Sequence, residues 1–163
     1  GLDRSLGPKT VLSFGTTLDR VVRIDSPVQS SDRVEAEVGL GRRIANGDQL
    51  SVGLMAARAV SDSAEIRNEA LGLTLGWAKA EPVAGIGLQA SLGIEARVYQ
   101  DSAYVTGGRE DVRLTANLSM SFDEVDYLGF SPVLEMQATR NRSNAALYDT
   151  QDLGITLGIK SSF

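Results

Sequence analysis

The 163-residue sequence contains neither cysteine nor histidine. Without cysteine the chain cannot form disulfides, use a thiol nucleophile or build a cysteine-based zinc site. Without histidine it lacks the commonest general base and metal ligand. The acidic turns do not have the spacing of a calcium-binding loop. The sequence therefore predicts no catalytic residues, no metal site and no cofactor, so we expect a protein that is not an enzyme.

Long hydrophobic runs and positive charge are also scarce. No segment approaches the roughly 18 consecutive apolar residues that a membrane-spanning helix needs, and the mean hydropathy is −0.07. The formal net charge of −5 and the pI of about 4.8 argue against nucleic acid as a partner. The composition excludes a helical membrane protein but leaves a transmembrane β-barrel open, because only alternate residues of such a barrel face lipid.

The sequence is rich in a period-two alternation of apolar and small polar residues, which is the pattern of β-strands. It is clearest in the last strand, where Leu153, Ile155, Leu157 and Ile159 alternate with Gly154, Thr156, Gly158 and Lys160. About eight such strands follow one another, and no segment has a convincing helical period. We expect an all-β, antiparallel up-and-down transmembrane β-barrel over residues 10–163, preceded by a lead-in at residues 1–9. The chain is either a whole small barrel or part of a larger one.

The connections between these strands carry a second signal. Asn46-Gly47 predicts a tight hairpin with positive φ at both turn residues, and tight turns are expected at Glu81-Pro82 and at residues 123–126. Pro132 cannot donate to a sheet ladder and predicts an irregularity in its strand. The other connections are longer and polar. Short turns on one rim and longer loops on the other are typical of outer-membrane barrels. Aromatic residues expected near the short-turn rim are Trp77, Phe122, Phe130, Phe163 and Phe14.

Alternation alone also describes a soluble barrel with its apolar face inward. Two features favour the membrane. The polar face carries mainly Gly, Ser, Thr, Ala and Gln with few Lys, whereas a water-facing surface is normally rich in charge. The last strand also ends on an aromatic residue, Phe163. The residues expected to face outward are Leu88, Leu92, Leu114, Leu118, Leu134 and Leu157, and those expected to face inward are Gln89, Gly93, Thr115, Asn117, Gln137 and Thr156.

The stretch GFSPVLEMQATRNRSNAALYD (residues 129–149), followed by the terminal strand, resembles the end of the surface lipoprotein assembly modifier family of Gram-negative outer-membrane proteins. The matching positions are Arg140, Ser143, Asn144 and Tyr148. The resemblance implies a helical-repeat domain followed by a larger barrel, so the chain is a C-terminal piece of such a protein or a small barrel with a similar ending. It also implies an outer-membrane location and delivery or translocation of lipoproteins or secreted proteins to the cell surface. Its implied partners are membrane lipid, the barrel assembly machinery and the cargo protein.

Two sets of residues are candidate sites. Thr156, Gly158 and Phe163 fit the C-terminal assembly signal that the resemblance implies, and Ser161 departs from it where an aromatic residue is usual. The polar face carries four charged residues, for which two interpretations are open. They line a lumen and contact a translocating substrate, or they form a satisfied charge network inside the barrel. These four residues are Glu95, Arg97, Arg113 and Glu135. The alternative functions are a small structural or adhesive outer-membrane barrel and a soluble, lipocalin-like binding barrel.

Overall fold

The computed structural model describes residues 1–125 and 129–161. These residues form one antiparallel sheet of nine strands, in which each strand pairs with its neighbours in the sequence. The strands are β1 Leu2–Gly7, β2 Thr10–Val21, β3 Ser31–Arg43, β4 Gln49–Ser61, β5 Asn68–Ala78, β6 Ile86–Tyr99, β7 Glu110–Phe122, β8 Phe130–Ser143 and β9 Thr150–Ser161. Two single 3-10 turns, Pro27–Gln29 and Ala146–Tyr148, lie in loops. The all-β, up-and-down arrangement predicted from the sequence is confirmed.

In the described part of the chain, no helix is both long enough and apolar enough to cross a membrane.

The sheet has one strand more than the eight that were predicted. The additional strand is β1, which lies in the segment predicted as a lead-in. It pairs with the first half of β2, from Leu2 opposite Phe14 to Ser5 opposite Val11. The charged side chain of Arg4 interrupts the apolar series along β1, and this is why the alternation did not reveal the strand. With nine strands, β1 and β9 form the two edges of the sheet and run in the same direction.

The connections define two rims. The turn rim carries residues 8–9, 44–48, 79–85, 123–125 and 129, and the loop rim carries residues 22–30, 62–67, 100–109 and 144–149. The lengths on the two rims overlap, so the contrast is weaker than the sequence suggested. The predicted turn at residues 123–126 lies partly outside the described residues.

The turn at Asn46-Gly47 differs in type from the prediction. Gly47 has a positive φ of 88°, but Asn46 does not. The Gly47 N–H donates to the Ile44 carbonyl, and the Ile44 N–H donates to the Asp48 carbonyl. This is a three-residue hairpin loop with a bulge rather than a two-residue turn.

The tight turn between β5 and β6 lies at Ala84 and Gly85, with φ of 50° and 76°. Val83 and Ile86 pair across it, so the expectation of a turn at Glu81-Pro82 was wrong by a few residues. Alanine rarely adopts positive φ, so a turn centred on Ala84 was not expected. The irregularity predicted at Pro132 is confirmed, because the β7–β8 ladder ends at Val133 and Pro132 pairs only with β9.

In a soluble barrel the apolar face of the sheet is buried and the polar face is exposed to water. The burial of this sheet is the reverse. From β3 to β9, every large apolar strand residue that is exposed lies on the face predicted to point outward, with Leu71 69%, Leu92 62% and Leu157 78% exposed. We call this the apolar face. The opposite, polar face carries the buried strand residues Ala57, Ala59, Ala70, Asp111, Ser131 and Asn141. The cross-strand register divides all twelve residues of the facing prediction between the two faces as expected.

A buried carboxylate, Asp48, joins two neighbouring turns at the turn rim. It is 4% exposed and accepts hydrogen bonds from the Ala80 N–H at 3.0 Å, the Lys79 Nζ at 3.1 Å and the Trp77 Nε1 at 3.2 Å. The Ala80 N–H, followed by Lys79 and Trp77, lowers the pKa of Asp48 from 3.8 to about 2, against the opposing effect of burial. The ionised form of Asp48 therefore holds the 44–48 turn against the 79–85 turn.

We predict that Asp48→Asn lowers the thermal unfolding midpoint of the chain in detergent micelles in a pH-dependent way. The folded state lowers the pKa of this carboxyl group, so its stabilising effect is fully present above 3.8 and is lost as the pH falls to about 2. The difference between wild type and variant should be constant above pH 3.8 and should shrink below it. Asp25→Asn, in the exposed 22–30 loop, is the matched control. A difference that does not change with pH would contradict this role.

Candidate functional site on the polar face

Small polar side chains leave an open trough along the polar face. It consists of two depressions, of about 380 Å³ and about 430 Å³. Both include Gln89 and Ser119, so we treat them as one surface and call it the polar trough. Its other polar-face residues include Gln49, Ser51, Ser91, Asn117, Ser121, Glu135, Thr156 and Lys160. This lining offers many uncharged hydrogen-bonding groups and only two charges, which suits weak contact with an extended polypeptide rather than tight binding of a small ion.

The structure brings together three of the four charged residues predicted to line the lumen. Glu95 and Arg97 form an ion pair at 2.7 Å, with side chains 21% and 18% exposed. Arg113 lies directly opposite Glu95 in the β6–β7 register. Glu135 lies nearer the turn rim, opposite Ser119, and lines the polar trough. The four residues therefore do not form a single network, and contact with a translocating substrate stays a prediction.

A partly buried cluster of tyrosine and arginine lies at the loop-rim end of the polar face. The Arg109 guanidinium lies between the rings of Tyr99 and Tyr148, 3.6 Å from each ring centroid. Tyr104 packs edge-on against Tyr148 at 5.9 Å, and Arg109 Nε lies 3.2 Å from an Asp111 carboxylate oxygen. Each cation–π contact contributes about 0.5–2 kcal/mol, with the larger values at desolvated sites. We call these five residues the tyrosine–arginine clamp.

Residues that carried the family resemblance fix the loops around this clamp. The Asn144 Nδ2 donates to the Gly108 carbonyl at 3.1 Å, and the Asn144 Oδ1 accepts from the Glu110 N–H at 2.9 Å. The Asp149 Oδ1 accepts from the Ser143 N–H at 2.7 Å. The 100–109 and 144–149 loops are thus held together by side-chain contacts to backbone groups.

Tyr99, Arg109 and Asp111 were not predicted as site residues. They belong to two strands and a loop, and their partner Tyr148 is distant in the sequence. The strand register is the feature from which this cluster could have been found. Asp111 pairs with Arg97 and therefore lies on the same face as Tyr99. Charged and aromatic residues at one end of the polar face would have predicted a cluster at the loop rim.

The predicted assembly signal lies in β9. Thr156 and Gly158 are on its polar face, opposite Glu135 and Val133, and every described residue of β9 is exposed. Phe163 lies outside the described residues, so the signal stays a prediction. Within residues 1–125 and 129–161, no group of three or more acidic residues is placed to hold a metal ion.

These observations define the class of protein: an antiparallel up-and-down β-sheet with an exposed apolar face and a trough on its polar face. The model of the surface lipoprotein assembly modifier family matches residues 29–163. The chain therefore belongs to this family, which confirms the resemblance seen in the last third of the sequence and extends it over most of the chain. No curated protein and no solved structure gave a match.

We predict that Tyr148→Ala frees the 100–109 loop. The variant loses one of the two cation–π contacts of Arg109, which removes about 1–2 kcal/mol of local stability. The open population of the loop then rises about 5–30-fold. Trypsin should then cleave after Arg109 at a correspondingly higher rate, measured by mass spectrometry of the chain in detergent micelles. Tyr148→Phe keeps the ring face and should behave like wild type. Equal cleavage rates in all three proteins would show that the clamp does not restrain the loop.

Proposed function

We propose that this chain forms the wall of an outer-membrane β-barrel that assists the delivery of lipoproteins to the bacterial cell surface. Membership of the surface lipoprotein assembly modifier family supports the role in assembly. The observation that carries the membrane location is the inverted burial, in which leucine and isoleucine side chains are exposed on one face while the buried strand residues lie on the opposite, polar face. Leaving apolar surface in water costs about 25 cal/mol per Å², so the apolar face needs an apolar medium.

The height of the apolar face supports this location. On β8 the apolar series runs from Phe130 to Ala138, and the next residue on that face is Arg140. The ten residue steps from Phe130 to Arg140 span roughly 33 Å along the strand. At the strand tilt of about 40° that outer-membrane barrels have, this corresponds to about 25 Å, the height of their apolar band.

The residues at the two edges of the apolar face also match those at the edges of the apolar band of an outer-membrane barrel. On the turn-rim side, Phe122 and Phe130 are strand-terminal and Trp77 is next to last in β5, as in an aromatic girdle at the lipid head groups. Phe14 lies four residues into β2, farther from the rim than expected, and Phe163 is not among the described residues. On the loop-rim side, charged residues take over on the apolar face of successive strands: Arg20, Asp32, Arg58, Glu69, Glu110 and Arg140.

The proposed mechanism is passive. The polar trough offers hydrogen-bonding groups to a passing polypeptide, and the exposed edge of β9 supplies a lateral seam. The tyrosine–arginine clamp holds the loop rim on the polar side. Thr156, Gly158 and Phe163 are proposed as the signal that the barrel assembly machinery reads on the same edge strand. The soluble, lipocalin-like alternative requires the apolar face to be inward, which is opposite to the burial observed here.

Delivery can be tested by deleting the native gene and labelling surface lipoproteins on intact cells with a membrane-impermeant reagent. We expect surface labelling to fall in the deletion strain and to return with the wild-type gene. Ser119→Trp fills the polar trough and should leave the amount in the membrane fraction unchanged while lowering surface labelling at least several-fold.

Leu118→Trp, at the neighbouring position on the apolar face, is the matched control and should behave like wild type because tryptophan is tolerated against lipid. Unchanged surface labelling in the deletion strain would contradict the delivery function and favour the structural or adhesive alternative.

A further inference from the structure

A groove of about 600 Å³ crosses the apolar face from β5 to β9. The strand register arranges its apolar-face lining in two adjacent rows. The row nearer the loop rim is Leu73, Ile94, Leu114, Arg140 and Gln151, and the other row is Leu75, Leu92, Ala116, Ala138 and Leu153.

The floor of the groove is formed by two small residues, Ala116 and Ala138, which pair across β7 and β8. Larger side chains stand on either side of them in the same row, with Leu92 62% exposed and Leu153 73% exposed. Two adjacent alanines between leucines leave a low, entirely apolar channel, and its width suits a hydrocarbon chain better than a flat lipid-facing surface would.

Two arginines of β8 lie on the loop-rim side of this floor: Arg140, which lines the groove, and Arg142, the next residue on the same face. Arg140 is exposed and lies two residues from Ala138 on the same face, with the Gln151 side chain beside it in the register. Within residues 1–125 and 129–161, Arg140 forms no salt bridge.

Two arginines at the same border of other strands are paired. Arg20 forms an ion pair with Asp32 and Arg58 with Glu69. Asp152 also lines the groove, but its register opposite Thr139 assigns it to the polar face. Arg140 therefore offers an exposed positive charge, with no salt bridge among the described residues, at the loop-rim end of an apolar channel.

We propose that this groove is a binding site for an anionic glycerophospholipid, with an acyl chain over Ala116 and Ala138 and the phosphate on Arg140 and the Gln151 amide. Arginine binds phosphate with two parallel charge-assisted hydrogen bonds, and this makes it more selective for phosphate than a simple point charge. The inference rests on the proposed membrane location of the apolar face. It adds a specific lipid partner near the border where hydrocarbon gives way to head groups.

The test uses the full chain in an uncharged detergent and measures lipid binding by native mass spectrometry. The probes are phosphatidylglycerol and phosphatidylcholine with identical acyl chains, free glycerol phosphate, and a triacylated lipopeptide that represents a lipoprotein anchor. We expect phosphatidylglycerol to bind about tenfold more tightly than phosphatidylcholine, the size of one charge-assisted contact. Free glycerol phosphate should not compete.

The variants separate the head-group contact from the groove. Arg140→Gln should abolish the preference for phosphatidylglycerol, while Ala138→Leu should weaken both lipids by filling the floor. Arg20→Gln, at the same border but away from the groove, should bind like wild type. The proposal is overturned by equal binding of the two lipids, by an unchanged preference in Arg140→Gln, by full competition from glycerol phosphate, or by preferred binding of the lipopeptide. If the chain still inserts with its apolar face in lipid, each of these outcomes rules out only the lipid site. The proposed function is then unaffected.

Discussion

The hydrogen-bonded ladder of the sheet is the interaction on which the rest of this structure depends. Among the described residues, the buried apolar side chains are four alanines, Ala57, Ala59, Ala70 and Ala145, so a hydrophobic core cannot hold the strands together. The ladders between β2 and β9 instead run along most of each strand. Because side chains alternate along each strand, these ladders fix an apolar and a polar face. In the proposed membrane location, lipid over the apolar face supplies the hydrophobic stabilisation that a soluble domain obtains from its core.

The two largest groups of side-chain contacts lie at the two ends of the sheet. Asp48 joins two turns at one rim through the Trp77, Lys79 and Ala80 donors, and the tyrosine–arginine clamp joins two loops at the other. Between them, the polar trough carries mostly serine, glutamine and asparagine. This division agrees with the proposed passive mechanism, in which contacts at the two rims hold the sheet while a lining with few charges lets a polypeptide move on.

The period-two alternation was enough to predict β2 to β9 and the face of each residue, because that signal is local and repeats along every strand. It failed where a single residue breaks the pattern, as Arg4 does in β1. It also failed where backbone conformation departs from residue preference, as at Ala84 with its positive φ. The alternation places Tyr99 and Asp111 at the same end of the polar face, but their contacts with Arg109 and Tyr148 could not be predicted because these two residues arrive there only when two loops fold over that end. Tertiary contacts of this kind leave no periodic trace in a sequence.

The central claim is that the apolar face lies against lipid, and a scan of β7 tests it most directly. The chain has no cysteine, so single cysteines at residues 112–121 can carry a spin label without removing native thiols. In lipid vesicles, labels at Leu114 and Leu118 should be accessible to oxygen, which concentrates in the bilayer, and labels at Thr115 and Asn117 to a water-soluble nickel chelate. This would produce a period of two along the strand. Labels at Leu114 and Leu118 that are shielded from both reagents would place these residues in a closed core and contradict the membrane location.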